Sequence, residues 1–394
     1  MKYIILVGDG MADFPLDELG SKTPLEVAFK PNIDRLASKA RLGTLKTIPD
    51  GMEAGSDIAN LSILGYDPRK YYTGRGPLEA VSMGVKLGPN DIAFRCNLIT
   101  EENNTLKDYC ADHITSEEAR LLIEGVGRAF KDVGDFYPGV SYRHLFVLRN
   151  GVEGLKSTPP HDVIGGKISE HLIKPEDKRI VKSLNSMILD SKEVLSKHSV
   201  NLKRKEKGLN PANMIWLWGQ GKRPDIEPLK ERYGITGAVV SAVDLIKGIG
   251  VYAGMDIIDV PGATGYYDTD YESKADHCLK ALEDHGLVYL HVESIDEAGH
   301  AGDIEMKIKC IEEFDRRLVG RLLDNLEDES SVALLPDHYT PISTKTHDPT
   351  PVPFLIYKPG KGNDGIEKFT ESVARNGSFG TIKGEEFIKL FLKQ

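Results

Sequence analysis

The sequence is poor in the features that mark secreted and membrane-spanning proteins. Its 394 residues include four cysteines, none in a C-x-x-C pair: Cys96, Cys110, Cys278 and Cys310. Unpaired thiols in a chain of this size are typical of a reducing compartment. No apolar run approaches the roughly 18 residues of a membrane-spanning helix, and the run within residues 1–8 is too short for a signal peptide. We therefore expect a cytoplasmic protein that does not enter a membrane.

Basic residues are fewer than acidic residues. The chain carries 50 lysines and arginines against 60 aspartates and glutamates, a net charge of −10. Nucleic acids require a basic surface, so nucleic-acid binding is excluded as the main function. The acidic balance suits a protein that holds divalent cations, and it leaves room for a local basic pocket. The length predicts about two or three domains.

Short continuous apolar runs alternate with amphipathic segments. Such runs predict strands buried on both faces, as in a mostly parallel sheet. They lie at 4–7, 237–243, 287–292, 332–335 and 354–357. The amphipathic segments at 31–40, 306–326 and 385–392 predict helices. This alternation indicates an α/β fold with a doubly wound, mostly parallel sheet.

The middle of the chain has a different pattern. Strand-like segments at 92–98 and 142–148 lie beside predicted helices at 116–130 and 175–197, and the charged stretch 201–208 is typical of a solvated linker. We therefore expect a smaller α+β domain at 74–207, inserted into a discontinuous catalytic domain of residues 1–73 and 208–394.

Seven polar residues follow the apolar runs or lie on adjacent turns. They are Asp9, Ser56, Asp296, His300, Asp337, His338 and His347. Taken singly, each has a structural explanation, as a helix cap, a core histidine or a surface pair. Jointly they suit a site at the carboxyl ends of the strands, where two divalent metals would clamp a phosphoryl group. Ser56 opens an apolar helix, where backbone N–H groups favour a phosphate.

Longer motifs carry a family resemblance over essentially the whole chain. They include Gly8-Asp9-Gly10, Gly55-Ser56-Asp57, Gly74-Arg75-Gly76, Phe94-Arg95-Cys96-Asn97, Pro336-Asp337-His338 and His347-Asp348-Pro349. The sequence resembles the alkaline-phosphatase superfamily and, within it, the archaeal-type 2,3-bisphosphoglycerate-independent phosphoglycerate mutases. The resemblance implies an alkaline-phosphatase-like fold and interconversion of 3-phosphoglycerate and 2-phosphoglycerate through a phosphoserine.

The resemblance also assigns the seven residues. It implies that Ser56 is phosphorylated during turnover and that one metal is held by Asp9, Ser56, Asp337 and His338. The second metal would be held by Asp296, His300 and His347. The family's metals are usually Mn²⁺, with Zn²⁺, Mg²⁺ or Co²⁺ as alternatives, and no bisphosphoglycerate cofactor is expected.

A small phosphorylated substrate calls for arginine and histidine side chains. The candidates are Arg95, Asn97, His113, Arg143, His161 and Asp162, with Asn213, Gln220 and Lys247 further along the chain. Arg95 and Arg143 lie in strand-like apolar runs, where an unpaired arginine is costly to bury, yet a structural salt bridge explains either equally well. The family has a similar His-Asp pair after proline, which favours His161 and Asp162.

Other functions remain open at this point. Bacterial members of the same branch have been proposed to act as homoserine kinases, and a phosphatase could use the same site. The chain contains no G-x-x-x-x-G-K-S/T loop, which counts against a kinase but does not decide, since this fold binds phosphates through metals. The complete ligand set argues against a non-catalytic metal-binding protein. A homo-oligomer is compatible with the sequence.

Overall fold

The structure, a computed structural model, describes residues 1–393. The chain forms two compact units: residues 1–72 together with the chain from Asp225 onward, and Thr73–Pro224. The strands are β1 (Tyr3–Gly8), β2 (Arg41–Lys46), β3 (Ile92–Glu102), β4 (Thr105–Asp108), β5 (Asp135–Tyr137), β6 (Arg143–Leu148), β7 (Met214–Gly221), β8 (Gly237–Val240), β9 (Asp256–Ile257), β10 (Leu287–Val292), β11 (Ser331–Leu335), β12 (Val352–Tyr357) and β13 (Thr381–Lys383).

Helices connect most of these strands. They are α1 (Pro24–Val27), α2 (Pro31–Ala37), α3 (Ser56–Ile63), α4 (Pro68–Tyr71), α5 (Arg75–Ser82), α6 (Ser116–Ala129), α7 (Arg179–Ser196), α8 (Ser199–Glu206), α9 (Leu229–Tyr233), α10 (Asp244–Tyr252), α11 (Tyr271–Asp284), α12 (Ser294–Ala301), α13 (Ile304–Glu313), α14 (Gly320–Asn325), α15 (Glu371–Ala374) and α16 (Gly384–Leu392). In the part of the chain described, no helix is long and apolar enough to span a membrane.

The first unit is built on an eight-stranded sheet in the order β13-β2-β12-β11-β1-β10-β8-β9. The strands from β11 to β9 run parallel, and β12 runs antiparallel to both of its neighbours. Ile4 and Leu6 pack in a core with α2, α11 and α13, while Ile5 and Val7 are fully buried on the opposite face. Continuous apolarity therefore marks strands covered on both sides, and the predicted fold class is confirmed.

Strand register brings three strand ends to one edge of this sheet. Gly8 at the end of β1 pairs with Val292 at the end of β10, and Val7 pairs with Leu335 at the end of β11. Because all three strands are parallel, the segments that follow them leave the sheet side by side. This edge is where the predicted site residues meet.

The second unit contains an antiparallel sheet. Its long strand β3 pairs with β4, β6 and β7, and β5 pairs with β6. Phe94, Cys96 and Leu98 lie in the core of this unit, so Arg95 and Asn97, which alternate with them along β3, project from the other face. The strand thus presents polar side chains on one face and core residues on the other.

Two boundary expectations were wrong around residues 201–224. The stretch 201–208 is mostly helix α8 rather than a linker, because Asn201 donates to the carbonyls of Leu195 and Ala212, and buried Arg204 donates to that of Ala111. The second unit also extends to Pro224 instead of ending at 207, because β7 pairs with β3.

The predicted helix at 306–326 is divided. It forms α13, a π-helical segment at Phe314–Val319 and α14. Asp315 within the π-helical segment accepts backbone hydrogen bonds from Asn32 and Ile33 at the start of α2. The division therefore coincides with a carboxylate that caps a neighbouring helix.

Candidate metal centre

All seven predicted site residues lie in one cluster of the first unit. Asp9 directly follows β1, and Asp337 and His338 follow β11. Asp296 and His300 are on α12, which begins two residues after β10, and Ser56 is the first residue of α3. His347 lies in the loop before β12. Their positions follow from strand ends meeting at one sheet edge, while their roles stay predictions.

One group of side chains surrounds the Nε2 atom of His338. That atom lies 3.1 Å from Ser56 Oγ, 3.4 Å from Asp9 Oδ1 and 3.5 Å from Asp337 Oδ2. Four potential ligand atoms thus converge from three different chain segments. They are the four residues that the resemblance assigns to one metal.

A second group surrounds Asp296. Its Oδ2 lies 3.1 Å from His300 Nε2, and its Oδ1 lies 3.7 Å from His347 Nε2. The two histidine Nε2 atoms are 2.9 Å apart. The i,i+4 spacing on α12 brings Asp296 and His300 to the same side of the helix. The rings of His347 and His338 are 4.0 Å apart, so the two groups adjoin.

The cluster is acidic and largely buried. Burial, together with the charges of Asp337 and Asp296, raises the pKa of Asp9 well above its usual range. Among residues 1–393, no group makes a hydrogen bond of good geometry with either carboxylate oxygen of Asp9. A buried carboxylate is costly unless it is paired or coordinates a metal. The oxygen and nitrogen donors therefore fit divalent cations, which would relieve this repulsion.

The sequence analysis missed two residues of this cluster, His291 and Glu293. His291 Nε2, in β10, is 3.0 Å from Asp9 Oδ2, yet within the described chain it has no well-aligned hydrogen-bond partner. The potential ligand atoms of Asp9, His291 and Asp337 lie within 4.8 Å of one another, as do those of Asp9, Glu293 and Asp296. The sequence feature that could have revealed His291 is a histidine inside an otherwise apolar run, one residue before the end of β10.

These two residues also have displaced pKa values. Burial lowers the pKa of His291 to about 4, so its ring is neutral and can act as a ligand. Burial, with the nearby charge of Asp296, raises the pKa of Glu293 to about 8. An additional cation near Asp9 would therefore find a neutral histidine already in place.

Neighbouring residues fix the orientation of the side chains in this cluster. The Asn60 side chain on α3 donates to Asp337 Oδ2 at 2.9 Å and to the Ser56 carbonyl at 2.8 Å. Its carbonyl oxygen accepts from the hydroxyl of Tyr289. The backbone N–H of Gly10 donates to Asp337 Oδ1 at 3.2 Å. Such outer contacts set ligand geometry in metal sites.

Gly10 is required at its position for two reasons. Its φ of +62° is disfavoured for residues with a side chain, and a Cβ there would lie 2.5 Å from Asp296 Oδ1. The backbone therefore approaches Asp296 more closely than any other residue type would permit.

Six of the predicted substrate residues gather around three aromatic rings of the second unit. The rings are Tyr109, Tyr142 and Trp218, and the first two are 5.7 Å apart. The guanidinium of Arg95 lies 4.4 Å from the Trp218 ring, and Trp218 Nε1 donates to Asn97 Oδ1 at 2.9 Å. This half of the cluster lies on β3 and β7.

The remaining predicted residues complete this aromatic cluster. His161 lies 5.4 Å from Trp218, and its Nε2 is 3.6 Å from Asp162 Oδ1. His113 and Arg143 lie 6.0 and 5.6 Å from the ring of Tyr142. The structure thus brings these six candidates into one cluster.

The sequence left two explanations for Arg95 and Arg143, a role in substrate binding and a structural salt bridge. Arg95 Nε lies 2.9 Å from Glu79 Oε1, so this arginine does form a salt bridge. Burial lowers the pKa of Arg95, and the charges of Arg75 and Arg143 act in the same direction. Arg75, 5.9 Å from the Trp218 ring, is an additional cation that the sequence analysis did not select. The cluster thus contains three arginines, Arg75, Arg95 and Arg143, and the carboxylates of Glu79 and Asp162.

Three other candidates lie elsewhere. Asn213 is occupied by the backbone of Glu101, and the Gln220 side chain donates to the Leu155 carbonyl, so both amides serve the fold of the second unit. Lys247 is on α10 of the first unit, where its charge helps burial to lower the pKa of Lys274 to about 8, although Glu293 opposes the shift.

Comparison with known proteins supports the family resemblance. A family model described as 2,3-bisphosphoglycerate-independent phosphoglycerate mutase matches residues 37–201. The 2,3-bisphosphoglycerate-independent phosphoglycerate mutase 2 of Methanothermobacter thermautotrophicus is 53% identical over 394 residues, covering 100% of this chain and 97% of the relative.

Two solved structures share the fold over nearly their full length. A Pyrococcus horikoshii protein has a TM-score of 0.86 at 32% identity, covering 99% of this chain and 96% of that one. The cofactor-independent phosphoglycerate mutase of Thermoplasma acidophilum has a TM-score of 0.68 at 27% identity, covering 100% and 99%. The chain therefore belongs to the 2,3-bisphosphoglycerate-independent phosphoglycerate mutase family.

Proposed function

We propose that this protein interconverts 3-phosphoglycerate and 2-phosphoglycerate without bisphosphoglycerate, through a phosphoserine at Ser56. The observation that carries the proposal is the convergence of Ser56 Oγ, Asp9 and Asp337 on His338 Nε2, beside the Asp296 group. The Ser56 hydroxyl thus lies among carboxylate and imidazole groups, and we propose that it is the nucleophile. Full-length relatives that are about 50% identical and carry the mutase name support the same activity.

The proposed metal ligands fall into two sets. Asp9, Ser56, Asp337 and His338 would hold one ion, and Asp296, His300 and His347 the other, with His291 available beside Asp9. Divalent ions there would lower the pKa of the serine hydroxyl and neutralise charge on the phosphoryl group. Mn²⁺ is the first choice, and Zn²⁺, Mg²⁺ or Co²⁺ would suit the same donors.

The reaction then takes two balanced steps. Ser56 Oγ attacks phosphorus, the bond from phosphorus to the 3-oxygen breaks, and that oxygen gains the proton that the serine loses. The 2-hydroxyl of glycerate next attacks the phosphoserine, the bond to Oγ breaks, and Ser56 regains a proton. The N-terminus of α3 favours the negative phosphoryl group, and Asn60 holds the Ser56 carbonyl and Asp337 in place.

We assign recognition of the substrate's acidic groups to the cationic cluster of the second unit. Arg95, stacked on Trp218, and Asn97, bonded to the indole N–H, have fixed orientations. Arginine matches carboxylate and phosphate oxygens with paired donors, which makes it the natural anchor for phosphoglycerate. Lys247, on α10, stays a predicted substrate residue.

The test presents purified, Mn²⁺-loaded protein with two substrate sets. One contains 3-phosphoglycerate without bisphosphoglycerate, and the other contains homoserine with ATP. We expect 2-phosphoglycerate in the first and no product in the second. Phosphohomoserine as the only product would replace the proposal with a homoserine kinase, and release of inorganic phosphate alone would indicate a phosphatase.

A further inference from the structure

The hydroxyl of Thr340 lies between the two proposed metal-ligand groups. Thr340 follows His338 by two residues and is fully buried. Its Oγ1 donates a hydrogen bond to Asp296 Oδ1 and lies 3.2 Å from His338 Nδ1. One oxygen atom therefore contacts a member of each group.

The hydrogen count fixes the direction of both contacts. A carboxylate only accepts hydrogen bonds, so the single hydroxyl proton of Thr340 must point to Asp296. The Thr340 oxygen can then only accept from His338, which places the ring proton on Nδ1. The His338 Nε2 lone pair is thereby left free on the side that faces Ser56, Asp9 and Asp337.

The surroundings of Thr340 keep its hydroxyl in this position. The buried Lys307 ammonium donates to the Thr340 carbonyl at 2.8 Å and is paired with Asp13 at 2.7 Å. A Cβ at Gly10 would lie 2.6 Å from Thr340 Oγ1, and one at Gly299 would lie 2.6 Å from the Thr340 carbonyl oxygen. Glycine at both positions permits a close fit around this side chain.

We propose that Thr340 is a positioning residue that sets the tautomer of His338 and the orientation of Asp296, and thereby couples the affinities of the two metal ions. This inference rests on the two-metal site of the proposed function. Thr340 itself has no ligand role, and it acts only through the two residues it contacts.

The test measures Mn²⁺ binding by titration calorimetry after chelation of the purified protein. Thr340→Val keeps the shape and removes the hydroxyl, and we expect both ions to bind about 10- to 100-fold more weakly. Thr340→Ser restores the hydroxyl and should restore both affinities. Wild-type affinities in Thr340→Val would overturn the proposal, and so would weakening confined to one ion.

Thr44→Val is the matched control. Thr44 is buried in β2 of the same unit, where its hydroxyl is 2.8 Å from that of Thr381 and contacts no proposed ligand. This variant should bind two ions with unchanged affinity. If it weakened binding as much as Thr340→Val, the effect would be general destabilisation and the proposal would fail.

A measurement on the wild-type protein is independent of how the variants fold. In Zn²⁺-loaded protein with ¹⁵N-labelled histidine, the His338 ring should carry its proton on Nδ1, and a proton on Nε2 would overturn the proposal. Neither binding nor tautomer requires substrate. A protein that binds two ions but lacks mutase activity would therefore refute the proposed function alone, whereas an active Thr340→Val with wild-type affinities would refute this inference alone.

Discussion

The two units present their functional side chains in opposite ways. In the first, carboxylates and histidines follow the ends of parallel strands and are mostly buried, with Asp9 and Asp337 almost fully enclosed. In the second, Arg95 and Asn97 lie within strand β3, and the exposed His113, Arg143 and His161 reach the same aromatic rings from loops and a strand end. One cluster is anionic and the other is cationic.

This contrast separates two tasks. A buried group of carboxylates is suited to hold cations and a nucleophile, whereas arginines held by aromatic rings are suited to hold an anion. Variants of the first unit should therefore change metal content or the rate of chemistry, and variants of the second should change substrate affinity. A first-unit variant that changed only substrate affinity, or a second-unit variant that changed metal content, would contradict this separation of tasks.

The largest effect is expected for Ser56→Ala. Removal of the nucleophile should lower kcat by at least about 10⁴-fold, a loss on the scale seen when a covalent catalytic group is deleted. The measurement is mutase turnover beside a count of bound Mn²⁺, which should show that metal still binds. Ser62→Ala, six residues along the same helix, is the control and should keep its activity. Undiminished turnover in Ser56→Ala would remove Ser56 as nucleophile.

A smaller effect is expected for His291→Gln, which tests one of the residues that the sequence analysis missed. If His291 contributes to the metal centre, loss of its imidazole should weaken Mn²⁺ binding by about 10- to 100-fold. Calorimetric titration measures this directly.

His277→Gln provides the comparison for this change. His277 is on α11 of the same unit, and its Nδ1 lies 2.8 Å from the Ser273 carbonyl. Equal Mn²⁺ affinities in wild type, His277→Gln and His291→Gln would exclude His291 from the metal centre.

In the second unit, Arg95→Lys should raise KM about tenfold, as expected for the loss of one charge-assisted hydrogen bond of roughly 1.5 kcal/mol. Mn²⁺ affinity should not change. Arg149→Lys is a control in the same unit, since Arg149 pairs with Asp91 and Asp135 instead of the aromatic cluster. A fall in kcat at constant KM would contradict an anchoring role.

The last expected effect is a dependence of metal binding on pH. Burial acts to lower the pKa of His300, but its hydrogen bond to Asp296 and the charge of that residue outweigh burial and raise the pKa to about 9. A protonated imidazole cannot bind a cation, so Mn²⁺ affinity should rise by up to about tenfold per pH unit below pH 9 and then level off. Calorimetry in buffers of different ionisation enthalpy should show proton release on binding.

His285→Gln is the control for the pH experiment, because His285 is paired with Asp256 and is not a proposed ligand. It should leave the pH dependence intact, whereas His300→Asn should flatten it. A pH-independent affinity in the wild type would show that His300 is not a ligand.

The same contrast explains what the sequence could reveal. Asp9, Asp337 and His338 were predictable because each comes within three residues of the end of a continuous apolar run, and parallel strands end at one edge. His291 lies inside such a run, and the apolar residues around it made it resemble a core histidine instead of a site residue. Thr340 was not predictable, because its importance depends on contacts that fold geometry alone creates.

The second unit was harder to predict for a physical reason. Alternation within β3 indicated that Arg95 and Asn97 share a face, but the rings that hold them come from distant segments. The charged pattern of α8 resembled a linker because lysines cover its solvent side, while Asn201 and Arg204 are buried by hydrogen bonds to remote carbonyls. Sequence periodicity does not reveal hydrogen-bond partners that lie far away along the chain.

The central place of β1 has a consequence for how the protein is made on the ribosome. Both neighbours of β1 in the sheet, β10 and β11, begin at Leu287 or later. At about 5–20 residues per second, the roughly 280 intervening residues take about 15–60 s to synthesise. During that interval an apolar strand has no partner on either edge, which invites aggregation. We therefore expect early helices or a chaperone to shield β1 until translation reaches the strands that complete the sheet.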